Sequence, residues 1–224
     1  MRPMKLESNG ILLDLRPLTE RDAIARIFSD EYGVMCGVMR AALMMKKNRP
    51  LVGQLGAVAW NARLDSQLGT FHWDAMRNLA APIMMDAYKL QLMTAAFGLI
   101  VALLPEREQY NTLYQETMAM LTALADAKTT SDALDIYQGW EVALLRDLGY
   151  ALDLGACSGC GRHDDLCYLS PRTGRAVCAT CGAPYATRLY HLPLSIHVTG
   201  RFIDSICEGL GIAVPVARRI LSRQ

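Results

Sequence analysis

The sequence predicts an α+β chain: a small antiparallel β-barrel or sandwich at the N-terminus, then an α-helical domain carrying a four-cysteine zinc-binding insert. Three observations point there. Short apolar runs separated by turn residues recur every ten to fifteen positions as far as residue 79, which is strand spacing. From residue 80 the apolar residues fall at helical intervals. Two CxxC pairs then stand 17 residues apart. The expected division is 1–79 and 80–224, with the insert at about 155–185.

The strand candidates follow in order. Ile11-Leu12-Leu13-Asp14-Leu15 lies between Asn9-Gly10 and Pro17, and Ala23 to Phe28 follows the turn Thr19-Glu20-Arg21-Asp22. Val34 to Leu43 follows Tyr32-Gly33, Leu55 to Leu64 alternates loosely, and Thr70-Phe71-His72-Trp73 follows Gly69. Gly37, inside a strand candidate, suits a bulge or barrel corner. Helix candidates come next. Pro82 to Leu104 is rich in Met, Leu and Ala and is stopped by Pro105. Glu106 to Ala127 carries Leu113, Met120, Leu121 and Leu124 at helical spacing. Thr130-Ser131-Asp132 reads as the N-cap region of a third helix, which runs through Leu148 to a Gly149 stop. Pro193 to Leu210 and Pro215 to Ser222 are expected as two closing helices.

The 224 residues carry 23 Lys+Arg and 22 Asp+Glu, with 52% hydrophobic residues, so the chain can build a core and is not a disordered segment. Charge is uneven. Residues 1–79 are net +3, 80–150 net −5, 151–185 neutral and 186–224 net +3. Different parts are therefore expected to meet different partners. Glu7, Asp14 and Arg16 interrupt any signal-peptide core. The longest apolar run, Leu90 to Leu104, is too short to span a bilayer. No membrane association is expected, and the cytoplasm is the expected compartment.

The motif Cys157-Ser158-Gly159-Cys160 … Cys178-Ala179-Thr180-Cys181 has the spacing of a four-cysteine zinc site. Each CxxC forms a tight knuckle offering two thiolates, and two knuckles complete a tetrahedron. Four protein ligands make a structural site, whereas catalytic zinc keeps a position open to water. Gly161 and Gly182 suit the knuckle turns, and Ser170-Pro171-Arg172-Thr173-Gly174 reads as a hairpin turn between them. The spacing of His163 and Cys167 suits neither knuckle, and Cys36, Cys167 and Cys207 read as ordinary thiols.

The chain has no P-loop, no GxGxxG and no GxSxG, its four histidines are scattered, and no zinc-deaminase HxE pattern occurs. It is not expected to be an enzyme. Cations at Arg16, Arg40, Lys46, Lys47, Arg49 and Arg63 sit at strand ends and in one loop, where phosphates can be met. Arg21 flanks the first turn, and Phe28, Tyr32, Trp60, Phe71 and Trp73 are candidates for base stacking or for the core.

The order of parts, together with several local marks, resembles the RecO family of bacterial recombination mediators. Those marks are Gly10-Ile11-Leu12-Leu13, Leu18-Thr19-Glu20-Arg21-Asp22-Ala23-Ile24 and Phe28-Ser29-Asp30-Glu31-Tyr32-Gly33. They continue with Arg40-Ala41-Ala42, Trp60-Asn61-Ala62-Arg63-Leu64-Asp65, Leu68-Gly69-Thr70-Phe71, Leu145-Arg146-Asp147-Leu148-Gly149-Tyr150, Leu169-Ser170-Pro171 and Gly174-Arg175. The resemblance implies an OB-fold binding single- and double-stranded DNA. It also implies annealing of strands coated with single-strand binding protein (SSB), and RecA loading with RecR and sometimes RecF, without nucleotide. A bacterial, nucleoid-associated location follows from it. It further implies a dock for the acidic, apolar-ended SSB tail on the helical part, without specific docking residues; the cations this sequence offers are Lys89 and Arg146 in the acidic segment and Arg218 and Arg219 in the closing helices. The competing readings are a zinc-containing protein scaffold that does not touch DNA, and a zinc hydrolase or deaminase.

Overall fold

The computed structural model describes residues 4–44, 49–62, 68–150 and 152–221. Five strands open the chain: β1 (Met4–Pro17), β2 (Ala23–Ser29), β3 (Gly33–Met39), β4 (Gln54–Ala62) and β5 (Gly69–Asn78). They close into a barrel in the order β1-β2-β3-β5-β4, with β4 returning onto β1. This is the five-strand Greek-key order of an OB-fold. Every pairing is antiparallel except the one that closes the barrel, where Gly37 to Met39 run parallel to Gly69 to Phe71. The backbones come close at that seam. A Cβ on Gly69 would stand 2.1 Å from the Trp60 ring, whose Nε1 donates to the Cys36 carbonyl at 3.1 Å.

Strand β1 begins seven residues before the expected Ile11. Its outer half is polar and half-exposed, so composition hides it, but Met4 to Ile11 pair continuously with β4. The inner half pairs with β2, with a register shift between Leu12 and Asp14. A strand that serves two neighbours must bend, and a bulge supplies the bend. Apolar residues Ile11-Leu12-Leu13 are consecutive because this stretch is buried on both faces. Leu12 belongs to the cluster of Ile27, Met35, Trp60 and Phe71, whereas Ile11 and Leu13 join Phe28 and Val34 against the helices.

A single 3-10 turn (Ile83–Met85) precedes α1 (Ala87–Leu103). Asp86 interrupts the expected longer helix. Its backbone is extended, and its carboxylate caps α1 by accepting from the Tyr88 and Lys89 N–H groups at 2.9 and 3.1 Å. Helix α1 is apolar all round because it lies between the barrel, α3 and the last helix. No described helix is long and apolar enough to cross a membrane.

Helix α2 (Asn111–Asp126) starts five residues after the expected Glu106. The preceding residues lie on the barrel instead: Glu106 bridges to Val34, and the Arg107 N–H donates to the Val34 carbonyl at 2.8 Å. Gly33 makes that seat possible. Its φ is +64°, and a Cβ there would stand 1.7 Å from the Glu108 carbonyl oxygen. Gly33→Ala is therefore expected to lose about 3 kcal/mol, combining left-handed backbone strain with overpacking. Urea denaturation checks this, and a loss under ~1 kcal/mol would show that the strap formed by residues 105–110 moves aside at little cost.

Helix α3 (Thr130–Asp147) opens on a capping box, with Thr129 Oγ1 accepting from Asp132 N–H and the Asp132 carboxylate accepting from Thr129 N–H. Gly149 follows its end at φ +85°, as the sequence suggests. The insert is a three-stranded sheet of β6 (Leu166–Leu169), β7 (Ala176–Cys178) and β8 (Tyr190–His191), in the order β7-β6-β8, with a short α4 (Ala179–Gly182). Helices α5 (Ile196–Gly209) and α6 (Val216–Leu221) close the chain. One apolar cluster runs from Ile11 and Phe28 through α1, α2, α3 and α5 to Leu221. Inside it the Arg218 guanidinium meets the Glu141 carboxylate, both fully buried.

Candidate metal centre and nucleic-acid surface

The two knuckles come from different local structures. In the first, Cys157 N–H donates to the Arg162 carbonyl and Gly161 N–H to the Cys157 carbonyl, both at 2.8 Å, with Gly161 at φ +77°. In the second, Cys178 ends β7 and Cys181 lies one turn on in α4. The Ser158 N–H donates to the Ala176 carbonyl at 2.9 Å, which binds the first knuckle to the sheet. The ligand atoms of Cys157, Cys160, Cys178 and Cys181 thereby lie within 4.8 Å of one another, and they can hold a metal ion.

The electrostatics of the group fit a cation. Backbone N–H groups of Cys178 and Gly159 donate to the Cys157 sulfur at 3.3 and 3.4 Å. The Cys178 N–H above all, with those of Cys160 and Gly159, brings the Cys157 thiol down to about 6. Cys181 is pushed up to about 12, chiefly by hydrogen bonding with the Cys160 and Cys178 sulfurs. Four sulfurs this close repel as anions, so without a cation they share protons, and a divalent ion resolves the conflict. His163 and Cys167 stand outside the group. His163 Nδ1 is 2.7 Å from the Gly155 carbonyl, and the Cys167 thiol donates to Asp165.

The barrel cations divide. Arg16 is exposed at the end of β1 and pairs with Asp14 at 2.7 Å. Arg40 and Arg49 are both exposed, and both belong to the β3–β4 connection, Arg40 at its first position. Lys46, Lys47 and Arg63 lie outside the described residues. The β1–β2 turn is tied to the start of that connection: Ala41 N–H donates to Asp22 Oδ1 at 2.8 Å and Leu43 N–H to the Arg21 carbonyl at 3.1 Å. Arg16, Arg21 and Arg40 thus belong to one end of the barrel.

Of the aromatic candidates, Phe28, Trp60 and Phe71 are core residues. Tyr32 and Trp73 alone among the five keep some exposed surface. In the helical part, three of the four suggested cations are engaged. Lys89 Nζ donates to the Ala125 and Ala127 carbonyls at the end of α2, Arg146 pairs with Glu116 and Asp147, and Arg218 is held by Glu141. Arg219 is exposed. Sequence reasoning does not find the backbone donors on Cys157, because main-chain geometry leaves no mark in residue type.

Residues 84–211 match the family described as Recombination protein O C terminal. Curated relatives named DNA repair protein RecO cover most of the chain. The protein of Rhodospirillum centenum is 34% identical over an alignment of 235 positions that covers 96% of this chain and 92% of its own length. That of Roseobacter denitrificans is 39% identical over 193 residues, 85% and 78% respectively. That of Rhizobium rhizogenes is 36% identical over 195 residues, covering 85% and 72%.

Proposed function

Because this chain belongs to the RecO family of DNA repair proteins, we propose that it is a non-enzymatic recombination mediator that binds single- and double-stranded DNA and anneals SSB-coated strands. Residues 1–79 form the DNA-binding unit, and 80–224 form the helical unit that receives the SSB tail. RecR, and in some systems RecF, act with it to load RecA. The cytoplasm, at the nucleoid, is where these partners meet. The observation that carries the reading is the barrel end, where Arg16, Arg21 and Arg40 stand at the start of a connection whose sequence also contains Lys46, Lys47 and Arg49. Burial of three aromatics in the core makes phosphate contact, not base stacking, the main DNA interaction there.

The ion in the cysteine group is zinc in a structural role, held by Cys157, Cys160, Cys178 and Cys181. Four thiolates fill a tetrahedron and leave no position for a substrate or an activated water. That speaks for a protein without catalytic chemistry at this centre. The scaffold reading draws on one observation, the Asp14 carboxylate that takes up Arg16 and Arg26.

Annealing of complementary strands precoated with cognate SSB, without ATP, separates the two. Acceleration that weakens when the SSB tail is removed is the expected result. Lys46→Ala with Lys47→Ala should also lower the slope of log K against log salt by about 1.4, as for two phosphates on a single strand. Unchanged affinity and slope between about 50 and 200 mM salt would remove the basic loop from the interface. No acceleration by the folded, zinc-loaded protein would leave the scaffold reading.

A further inference from the structure

A cavity of about 450 Å³ opens where the end of α3, the β6–β7 turn, β8 and α5 meet. Arg172 reaches it from the turn and Arg201 from α5, and among the described residues no carboxylate lines it. Both arginines are exposed, and neither forms an ion pair among the described residues. Two guanidiniums on one concave wall repel each other and concentrate positive potential, so the site is made for an anion.

The remaining walls narrow the anion's class. Tyr190 stands edge-on to Phe202 with ring centroids 6.0 Å apart, and the Arg201 guanidinium lies over Tyr190 at 5.3 Å. Tyr150, at the rim, is 49% exposed. A Cβ on Gly149 would meet nothing within 4 Å, so the mouth is open beside that ring. Thr173 and Ser205 add hydroxyls. Guanidinium forks match phosphate oxygens, ring faces match a planar base, and hydroxyls match a sugar. The volume falls in the range of small-molecule sites.

We propose that this cavity binds one phosphorylated nucleotide unit of a single DNA strand, as a contact separate from the barrel surface. That the strand is DNA rests on the function proposed above; that the cavity takes a phosphorylated nucleotide rests on its own walls. It gives the helical part a nucleic-acid contact despite the acidic charge of residues 80–150.

The probe is a 5′-phosphorylated thymidine dinucleotide, titrated into the full zinc-loaded chain and followed by amide NMR. The expected result is saturable shifts at Gly149, Thr173 and Ser205, abolished by Arg172→Gln with Arg201→Gln at unchanged Tm. With a longer thymidine strand, the same double variant should bind about tenfold more weakly at moderate salt and lose about 0.7 from the salt slope, as for one phosphate. No shifts, or shifts that survive the double variant, overturn the proposal. So do shifts produced only by an acidic, apolar-ended peptide, which would make the cavity a protein dock. Loss of strand binding in the Lys46/Lys47 double variant alone would sustain the barrel surface and reject the cavity. Loss in the Arg172/Arg201 double variant alone would do the reverse.

Discussion

Cys178→Ala is expected to produce a protein without its metal ion whose insert no longer folds. Cys178 is fully buried at the end of β7, and its backbone N–H donates to the Cys157 sulfur at 3.3 Å. The rest of the insert has little apolar support. Its own cluster consists of Cys157, Val177 and Cys178, with only partly buried side chains around it. A unit of this kind depends on its metal, and apparent binding free energies of about 10–16 kcal/mol are typical of structural zinc. Losing one of four ligands removes most of that. Metal analysis should fall from one ion per chain to near none, and amide exchange in 153–191 should become fast. Helices α1 to α3 keep their own core and should retain protection. A Cys178→Ala protein that keeps both its metal ion and its Tm would show that three cysteines and another group suffice, and the structural reading of the site would fall. Cys167→Ala is the control, since its thiol donates to Asp165 and is not part of the four-sulfur group.

The parts legible in the sequence are those whose cause is local. Cys157, Cys160, Cys178 and Cys181 announce themselves because a knuckle needs its two thiols within one turn. Gly174 follows the hairpin turn Ser170 to Thr173 for an equally local reason, a φ of +64°. Strand and helix territories follow from turn residues and apolar period. What stays hidden depends on partners far away in the chain. The parallel seam of β3 on β5 is set by the approach of Gly37 to Gly69, and a lone glycine in a strand does not name its partner. The strap at 105–110 reads as the start of a helix until Val34 is seen to take its hydrogen bond. Aromatic roles stay ambiguous because the barrel wall that faces the helices is as apolar as its interior, so alternation fails where Phe28 turns outward onto Tyr114. Arg172 and Arg201 lie 29 positions apart and look like scattered surface charge, and only the fold puts them on one cavity.

Replacing Arg218 with Met should cost about 3–5 kcal/mol, although α6 is only six residues long. Arg218 Nη2 donates to Glu141 at 3.1 Å and to the Ile196 carbonyl at 2.7 Å, and its Nε donates to the same carboxylate. Thr199 Oγ1 adds a bond to Glu141 at 2.5 Å. One network therefore ties α6 and α5 to α3 from within the core. Burial pushes the Glu141 carboxyl up from its ordinary range, and Arg218 is the main group opposing that. Without the guanidinium, Glu141 is left as a buried anion or takes a proton. A carboxyl whose folded-state pKa is raised favours the folded state when protonated, and that contribution is lost as pH rises through the folded value. The Arg218→Met defect should accordingly be smaller at pH 5 than at pH 8. Glu141→Leu leaves the opposite charge unmatched and should be as damaging, with no such relief in acid. The double replacement buries no charge, and at comparable buried pairs such swaps are neutral or stabilise by about 1–4 kcal/mol. A double-mutant cycle followed by urea denaturation should hence show strong coupling, with the double variant more stable than either single one. Additive losses would mean that α6 undocks whatever residue replaces Arg218, and that packing of Leu221, not the ion pair, holds the end of the chain.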